Sequence, residues 1–243
     1  MDKKKQGIIL LIILIIVLII INYSFLDKLL INFLDDSQTG VVERVIDGDT
    51  IVINGTSVRM LGINTPERGE RYYSEAKDFL NTLVLNKTVS LKFGKDKLDK
   101  YGRTLAYVFL GNAPINRRMI EEGFANYYFP SGKDGYYEEF VEAWERCLDG
   151  GKNLCKKSDD VCRDCFTIEV EKEWVIIKNG CIYPCDMTDW IVRNEGRKKV
   201  VFNATILYSG REIVLEIPLT AIGDTVFLRD KKNDFVISKT YNK

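Results

Sequence analysis

The sequence predicts a mainly β protein in three parts: a transmembrane helix, a small closed β-barrel carrying three helices, and a helix-free β-sandwich. Three observations predict it. A basic cluster, Lys3, Lys4 and Lys5, precedes fifteen residues with no polar side chain, Gly7–Ile21. Short β-rich runs separated by Gly and Asn turns then alternate with stretches of helical spacing. Beyond residue 166 the apolar residues recur in strand-like runs alone.

The first element runs on through Asn22, Tyr23 and Ser24 to Phe25 and Leu26. That makes about twenty residues, roughly a 30 Å helix, the thickness of a bilayer core. An Ile/Leu surface on every side, beside a Lys cluster, leaves no polar face, which argues against a buried core helix. Two readings stay open, a cleaved signal peptide and an uncleaved signal anchor. The long apolar run and the lack of a small-x-small cleavage site favour the anchor. The lysines then place residues 1–6 in the cytoplasm as a basic tail, 7–26 in the membrane, and the rest outside. The expectation is a single-pass protein of the cell membrane with an extracellular globular part.

Residues 27–40 read as a stalk or linker: Phe25–Leu34 is amphipathic, and Asp35 to Gly40 is a polar break. The barrel is expected over 41–155. Its strands are Val42–Ile53, Ser57–Ile63, Thr88–Phe93 and Thr104–Leu110, with turn signals at Asp47-Gly48-Asp49, Asn54-Gly55 and Tyr101-Gly102. Ser74 and Glu75 open a helix with Ala76, Phe79, Leu80, Leu83 and Val84 at helical spacing. Asn116–Glu122 is a second helix. Tyr136–Cys147 is a third, with Phe140, Val141 and Trp144 on one face. Five or so short strands with a few helices point to a barrel of the OB type. Residues 156–165 read as a Cys-containing linker. The sandwich, 166–243, is expected to use Ile168–Ile177, Trp190–Arg193, Lys198–Leu207, Glu212–Ile217, Thr225–Leu228 and Phe235–Ser238.

Composition narrows the chemistry. The 243 residues contain no His, which excludes Ser-His-Asp and Cys-His nucleophiles, His general bases and His-bearing zinc sites. Charge is balanced at 35 Lys+Arg against 35 Asp+Glu, and within 41–150 it is 15 basic against 17 acidic. A nucleic-acid partner would therefore be met by locally placed Arg and Lys, not by bulk charge.

Three runs carry the chemistry. Val45-Ile46-Asp47-Gly48-Asp49-Thr50 sets two carboxylates at a tight turn. Val58-Arg59-Met60-Leu61-Gly62-Ile63-Asn64-Thr65-Pro66-Glu67 sets a lone Arg in an apolar strand, then Asn, Thr and Glu beyond its end. Asp99-Lys100-Tyr101-Gly102-Arg103-Thr104 sets a second Arg at a strand start. Alone, Asp-Gly-Asp is ordinary turn chemistry, and an Arg in a strand often pairs structurally. Together at strand ends of one domain they form a constellation. Two guanidinium forks can pair with oxyanions, and a carboxylate can act as a base or a metal ligand.

In content and order these runs resemble the staphylococcal nuclease (thermonuclease) family, through IDGDT, VRMLGINTPE, the SEAK helix start, DKYGRTLAYVF and INRRMIEEGFA, over about residues 41–155. The resemblance implies an OB-fold barrel with three helices and Ca²⁺-dependent hydrolysis of DNA and RNA phosphodiesters. It implies that Asp49, Asn64 and the Thr65 carbonyl hold the metal and that Glu67 serves as general base or orients the water. It further implies that Arg59 and Arg103 clamp the phosphate, and that Lys100 and Tyr101 contact the nucleotide. The family usually carries Asp where this chain has Asn64, so one ligand charge is lost, and Asp47 is placed to compensate. The alternative is a non-catalytic module on the same fold that binds nucleic acid or protein.

All six cysteines lie between 147 and 185. Cys162, Cys165, Cys181 and Cys185 have spacings compatible with a four-thiolate zinc site, whereas export favours disulfides. Residues 166–243 resemble lamin-tail domains, through Glu173 to Asn179, Met187 to Arg193 and Gly223 to Asp230. That resemblance implies an immunoglobulin-like sandwich that engages a surface partner, with Trp174 and Trp190 in its core.

Overall fold

The computed structural model describes residues 3–22, 38–171, 174–220 and 223–241. The chain divides into two units, Met1–Gln38 and Thr39–Lys243. In the first, α1 is the helix Lys3–Ile21. Among the described residues no helix is long and apolar enough to cross a membrane, so the span expected over 7–26 is not shown. The helix starts within the lysine cluster, and its 19 residues reach only about 28 Å. Residues 23–37, which include the expected stalk, lie outside the described residues.

In the second unit the sequence folds first as a meander, β1 (Gln38–Asp47), β2 (Thr50–Ile53) and β3 (Thr56–Met60). The run Val42–Ile53 is thus a hairpin instead of one strand: Asp47 pairs with Thr50, and Gly48-Asp49 form the turn. After β4 (Ile63–Asn64) and α2 (Tyr73–Val84) come β5 (Thr88–Leu98) and β6 (Thr104–Leu110). β5 lies between β1 and β6, and β6 pairs in parallel with β3, so five strands close a barrel. Register shifts in β1 add the local twist that short strands need to close. β7 (Ala113–Pro114) leads into α3 (Ile115–Glu121), β8 (Asn126–Tyr127) pairs with β4, and α4 spans Tyr137–Gly150. The alternating strand positions and the helix stripes converge on one core, with Ile51, Met60, Leu80, Val108, Met119 and Phe140 fully buried.

The remaining strands are β9 (Phe166–Glu171), β10 (Trp174–Asn179), β11 (Cys185–Asp186), β12 (Ile191–Asn194), β13 (Lys199–Val201), β14 (Ile206–Leu207), β15 (Glu212–Glu216), β16 (Asp224–Arg229) and β17 (Phe235–Tyr241). They form sheets ordered β15-β10-β9, β13-β12-β16-β17 and β11-β14. One buried cluster draws on all of them, with Trp190, Val192 and Val226 beside Val175 and Ile177. The expected strand Ile168–Ile177 is two antiparallel strands, and Lys198–Leu207 is likewise divided between β13 and β14. Trp190 is core as expected, but Trp174 is 49% exposed. Along β10 the buried positions are Val175, Ile177 and Asn179, so the alternation turns Trp174 outward.

Three disulfides, Cys147–Cys155, Cys162–Cys185 and Cys165–Cys181, use all six thiols, which removes the zinc alternative. Residues 156–165 are no free linker: Lys156 O accepts Phe235 N at 2.7 Å and Ser158 N donates to Phe235 O at 2.8 Å. The barrel core also continues into the later sheets. Phe227 and Phe235 belong to it, and both stand edge-on to Trp144 of α4, at 5.6 and 6.4 Å between centroids. Arg229 is fully buried there and donates to the carbonyls of Leu154 (2.7 Å) and Asn233 (3.0 Å).

Candidate active site

The turn between β1 and β2 works only with a glycine at its centre. A Cβ on Gly48 would come within 2.9 Å of both Thr65 and Ala76, so the backbone lies directly on the segment that follows β4. This contact delivers Asp49, 5% exposed, to Thr65. Asp49 Oδ2 accepts hydrogen bonds from Thr65 N (3.1 Å) and Thr65 Oγ1 (3.0 Å), and Asp49 Oδ1 accepts one from Thr50 Oγ1 (3.2 Å). Asp47 remains half-buried beside it. Burial, and then the negative charge of Asp49, push the Asp47 carboxyl above the usual carboxylate range.

Arg59 stands opposite Thr50 in the β2–β3 register and reaches the same place. Its Nη1 lies 3.1 Å from Asp49 Oδ2 and donates to Met60 O at 2.8 Å. Its Nη2 donates to Ile63 O at 2.9 Å and to Asn64 Oδ1 at 2.7 Å. One planar fork therefore ties Asp49, Asn64 and the chain between β3 and β4 into a single knot. Gly62 makes that bend with φ +73°, and a Cβ there would lie 2.7 Å from the Phe140 ring.

Arg103 comes from the neighbouring strand. Val58 pairs with Thr104 and Arg59 with Leu105, so Arg103 sits one residue before the barrel-closing pairing. Its turn is built on Asp99: Oδ1 accepts the N–H groups of Tyr101 and Arg103, both at 2.9 Å, and Oδ2 accepts Arg103 Nε at 2.7 Å. Burial pushes Asp99 up, but the Arg103 and Tyr101 donors outweigh it and hold the carboxyl below the usual range. Tyr101 is 72% exposed, with Lys100 Nζ 5.0 Å and Arg103 Cζ 5.6 Å from its ring centre. That makes an exposed aromatic face bordered by two cations.

Asn64 spends its two functional atoms on different neighbours. While Oδ1 accepts from Arg59, Nδ2 donates to the backbone carbonyl of Glu195, in the turn between β12 and β13, at 2.9 Å. Two residues past Thr65, Glu67 is exposed and its Oε1 is bound by Arg197 Nη2 of that same turn. Glu67 N donates to Glu70 Oε2 at 3.0 Å, and Lys199 Nζ lies 3.5 Å from Glu70 Oε1. Burial would raise Glu70, but the Glu67 N–H and the charges of Arg193, Lys199 and Arg197 hold it low. Arg193 is buried. Burial takes its guanidinium down to about 10, with Glu70 opposing and Arg197 reinforcing the fall.

The expected residues Asp49, Arg59, Asn64 and Thr65 are thus in one hydrogen-bonded group, while Arg103, Lys100 and Tyr101 form a second in the turn between β5 and β6. Sequence reading missed Glu70, Asn126, Arg193, Glu195 and Arg197. Asn194-Glu195-Gly196-Arg197 reads locally as a charged surface turn, and its one unusual feature, the positive φ of Arg197 (66°), is a property of the fold. Asp49, Asn64 and Thr65 offer oxygen donors only, as a hard divalent cation requires, although Arg59 is bonded to oxygens of the first two.

A family model described as staphylococcal nuclease homologue matches residues 57–156. The thermonuclease of Staphylococcus hyicus is 37% identical over 131 residues, covering 49% of this chain and 76% of the relative. The thermonuclease of Staphylococcus intermedius is 39% identical over 106 residues, covering 40% of this chain and 63% of the relative. Endonuclease YncB of Bacillus subtilis is 35% identical over 113 residues, covering 41% and 53%.

Proposed function

Since this chain belongs to the staphylococcal nuclease family, we propose that its barrel is a nuclease hydrolysing phosphodiester bonds of DNA, RNA or both. The observation that carries this reading is the knot of Asp49, Arg59, Asn64 and Thr65, with Glu67 two residues beyond it and Arg103 in the turn that leads into the adjoining strand. Asp49, Asn64 and Thr65 would hold Ca²⁺, which when bound supplies positive charge to a phosphate oxygen.

The protein's own groups do the rest. A Glu67 carboxylate oxygen accepts the proton of the attacking water as its oxygen bonds to phosphorus and the bond to the leaving sugar oxygen breaks. Arg59 and Arg103 exchange their carboxylate partners for phosphate oxygens and stabilise the charge that develops on them. The exposed Tyr101 face, with Lys100 beside it, receives the adjoining base or phosphate.

Cleavage of single-stranded DNA and RNA with Ca²⁺ or chelator, beside Glu67→Ala and Arg103→Ala, tests this reading. Loss of cleavage in chelator and in both variants is expected; chelator-insensitive cleavage or full activity in both variants would sink the mechanism. Asn64 favours a second reading, a non-catalytic nucleic-acid- or protein-binding module. Binding of an oligonucleotide without cleavage at any Ca²⁺ concentration would establish that one instead.

The Lys cluster before an apolar run and the three disulfides support an exported location, with the N-terminal segment as a single-pass anchor and the barrel extracellular. For residues 166–243 the reading is a lamin-tail-like sandwich that engages a surface partner, supported by the sequence runs on β10, β12 and β16.

A further inference from the structure

The turn Asn194-Glu195-Gly196-Arg197 belongs by sequence to the second domain and by contact to the barrel. The Glu195 carbonyl accepts from Asn64 Nδ2 at 2.9 Å and from Asn126 Nδ2 at 3.3 Å, two barrel amides on one oxygen. From its own side the turn is held by Asp224: Oδ1 accepts Glu195 N at 3.0 Å and Oδ2 accepts Asn194 Nδ2 at 3.2 Å. Asn194 also closes the turn on itself, its Oδ1 accepting Lys198 N at 2.9 Å. A turn fastened at both ends is a fixed wall and not a lid.

What it presents is Arg197. The residue has φ +66°, a conformation that suits Gly or Asn and is costly for Arg. The side chain is 17% exposed, Nη2 is bonded to Glu67 Oε1, and Nη1 is buried without a hydrogen-bond partner among the described residues. Residues in such strained and incompletely satisfied states persist where surrounding structure or function demands them. Glu67 has a different problem. Its side chain is 67% exposed, and a free glutamate loses rotamer freedom on being held. Arg197 holds Oε1, and among the described residues Oε2 has no hydrogen-bond partner, so it stays open to a water.

We infer that Arg197 is a positioning residue of the nuclease site, supplied by the second domain, which fixes the Glu67 carboxylate for the attacking water. Asn64 is the fastening that makes this possible: its amide can donate to the Glu195 carbonyl, and an aspartate there could not. The two domains then form one active site, which deepens the nuclease reading and rests on it.

The test is a double-mutant cycle on the full chain. Arg197→Gly removes the guanidinium while relieving the positive φ, so a lost backbone fit cannot explain its effect; Arg197→Lys keeps a charge. With single-stranded DNA and Ca²⁺, Arg197→Gly is expected to lower kcat about tenfold or more, with KM changed less than about twofold. Arg197→Lys should restore most of the rate. In a Glu67→Gln background neither substitution should alter the residual rate. Equal losses in both backgrounds, or a rise in KM alone, overturn the inference. Urea unfolding of the same variants measures the Glu67–Arg197 coupling without any cleavage. A protein that shows that coupling but cleaves nothing sinks the nuclease reading and with it the role of Arg197. One that cleaves but shows neither coupling sinks that role alone.

Discussion

Replacing Asn64 by Asp gives the residue usual in the family and places a carboxylate where an amide now joins the barrel to the turn between β12 and β13. The Asn64 Nδ2 bond to Glu195 O, 2.9 Å, is lost outright. A buried hydrogen bond contributes about 1 kcal/mol net, and leaving acceptors facing each other costs a further 1–2 kcal/mol, roughly. Glu195 O keeps its weaker donor, Asn126, at 3.3 Å. On the other face, Asp49 and the new carboxylate would share one guanidinium, since Arg59 already contacts both positions. The charge-assisted bond to Arg59 returns about 1 kcal/mol. The sum is a destabilisation of about 1–2 kcal/mol in chelator, and about 2–4 °C in Tm for each kcal/mol at this chain length.

Ca²⁺ shifts the comparison toward the Asp variant, because an added ligand charge tightens binding and the ligand-bound native state is stabilised by mass action. The Tm gap should therefore narrow or reverse as Ca²⁺ is raised. Asn64→Ala, which deletes the donor without adding charge, should be destabilised in chelator and gain nothing from Ca²⁺. Hydrogen exchange at the Arg197 and Lys198 amides reports the turn directly and should quicken in both variants. An Asn64→Asp protein as stable as wild type in chelator, with unchanged exchange at those amides, would refute the claim that Asn64 fastens the turn.

Two further predictions concern the junction. Glu195 is buried, and burial, with Asp224 adding to it, pushes its carboxyl up to about 8. A carboxyl raised in the folded state stabilises below its unfolded value, near 4.5, and that stability is lost as pH rises toward 8, by up to about 1.4 kcal/mol per pH unit. Urea midpoints from pH 5 to 8 should fall for the wild type and flatten for Glu195→Gln; parallel slopes would contradict the assignment. Phe227→Ala, at a residue 1% exposed and edge-on to Trp144, should cost about 3–5 kcal/mol. Calorimetry should show one transition for barrel and later sheets, lowered as a whole. Two transitions with the barrel's unmoved would mean that the cores are separate.

Local rules made much of this protein legible before any coordinates. Alternation and turn chemistry placed Thr104–Leu110 and the helix ending at Val84, because strand and helix periods are carried by neighbours in sequence. That Asp49, Arg59, Asn64 and Thr65 meet in one hydrogen-bonded group follows from the β2–β3 register and the short chain from β3 to β4, so their proximity was readable too, whereas Glu67 and Arg103 take partners of their own in Arg197 and Asp99. Trp174 shows the limit of pattern reading: a tryptophan in an apolar run looks like core, and only the phase of β10 turns it outward. The pairing of six cysteines, the continuity of the barrel core through Phe227 and Phe235, and the seat of Arg197 beside Glu67 were decided by tertiary structure alone. These contacts join residues 8 to 130 positions apart, and nothing in the local sequence encodes which distant partner will meet them. By itself the sequence determined the chemistry available to the site: no histidine, two arginines, a glutamate and a set of oxygen donors. Only the fold decided that the turn between β12 and β13 packs against that site, because a hydrogen bond from Asn64 to a backbone carbonyl leaves no mark on the residue that supplies the carbonyl.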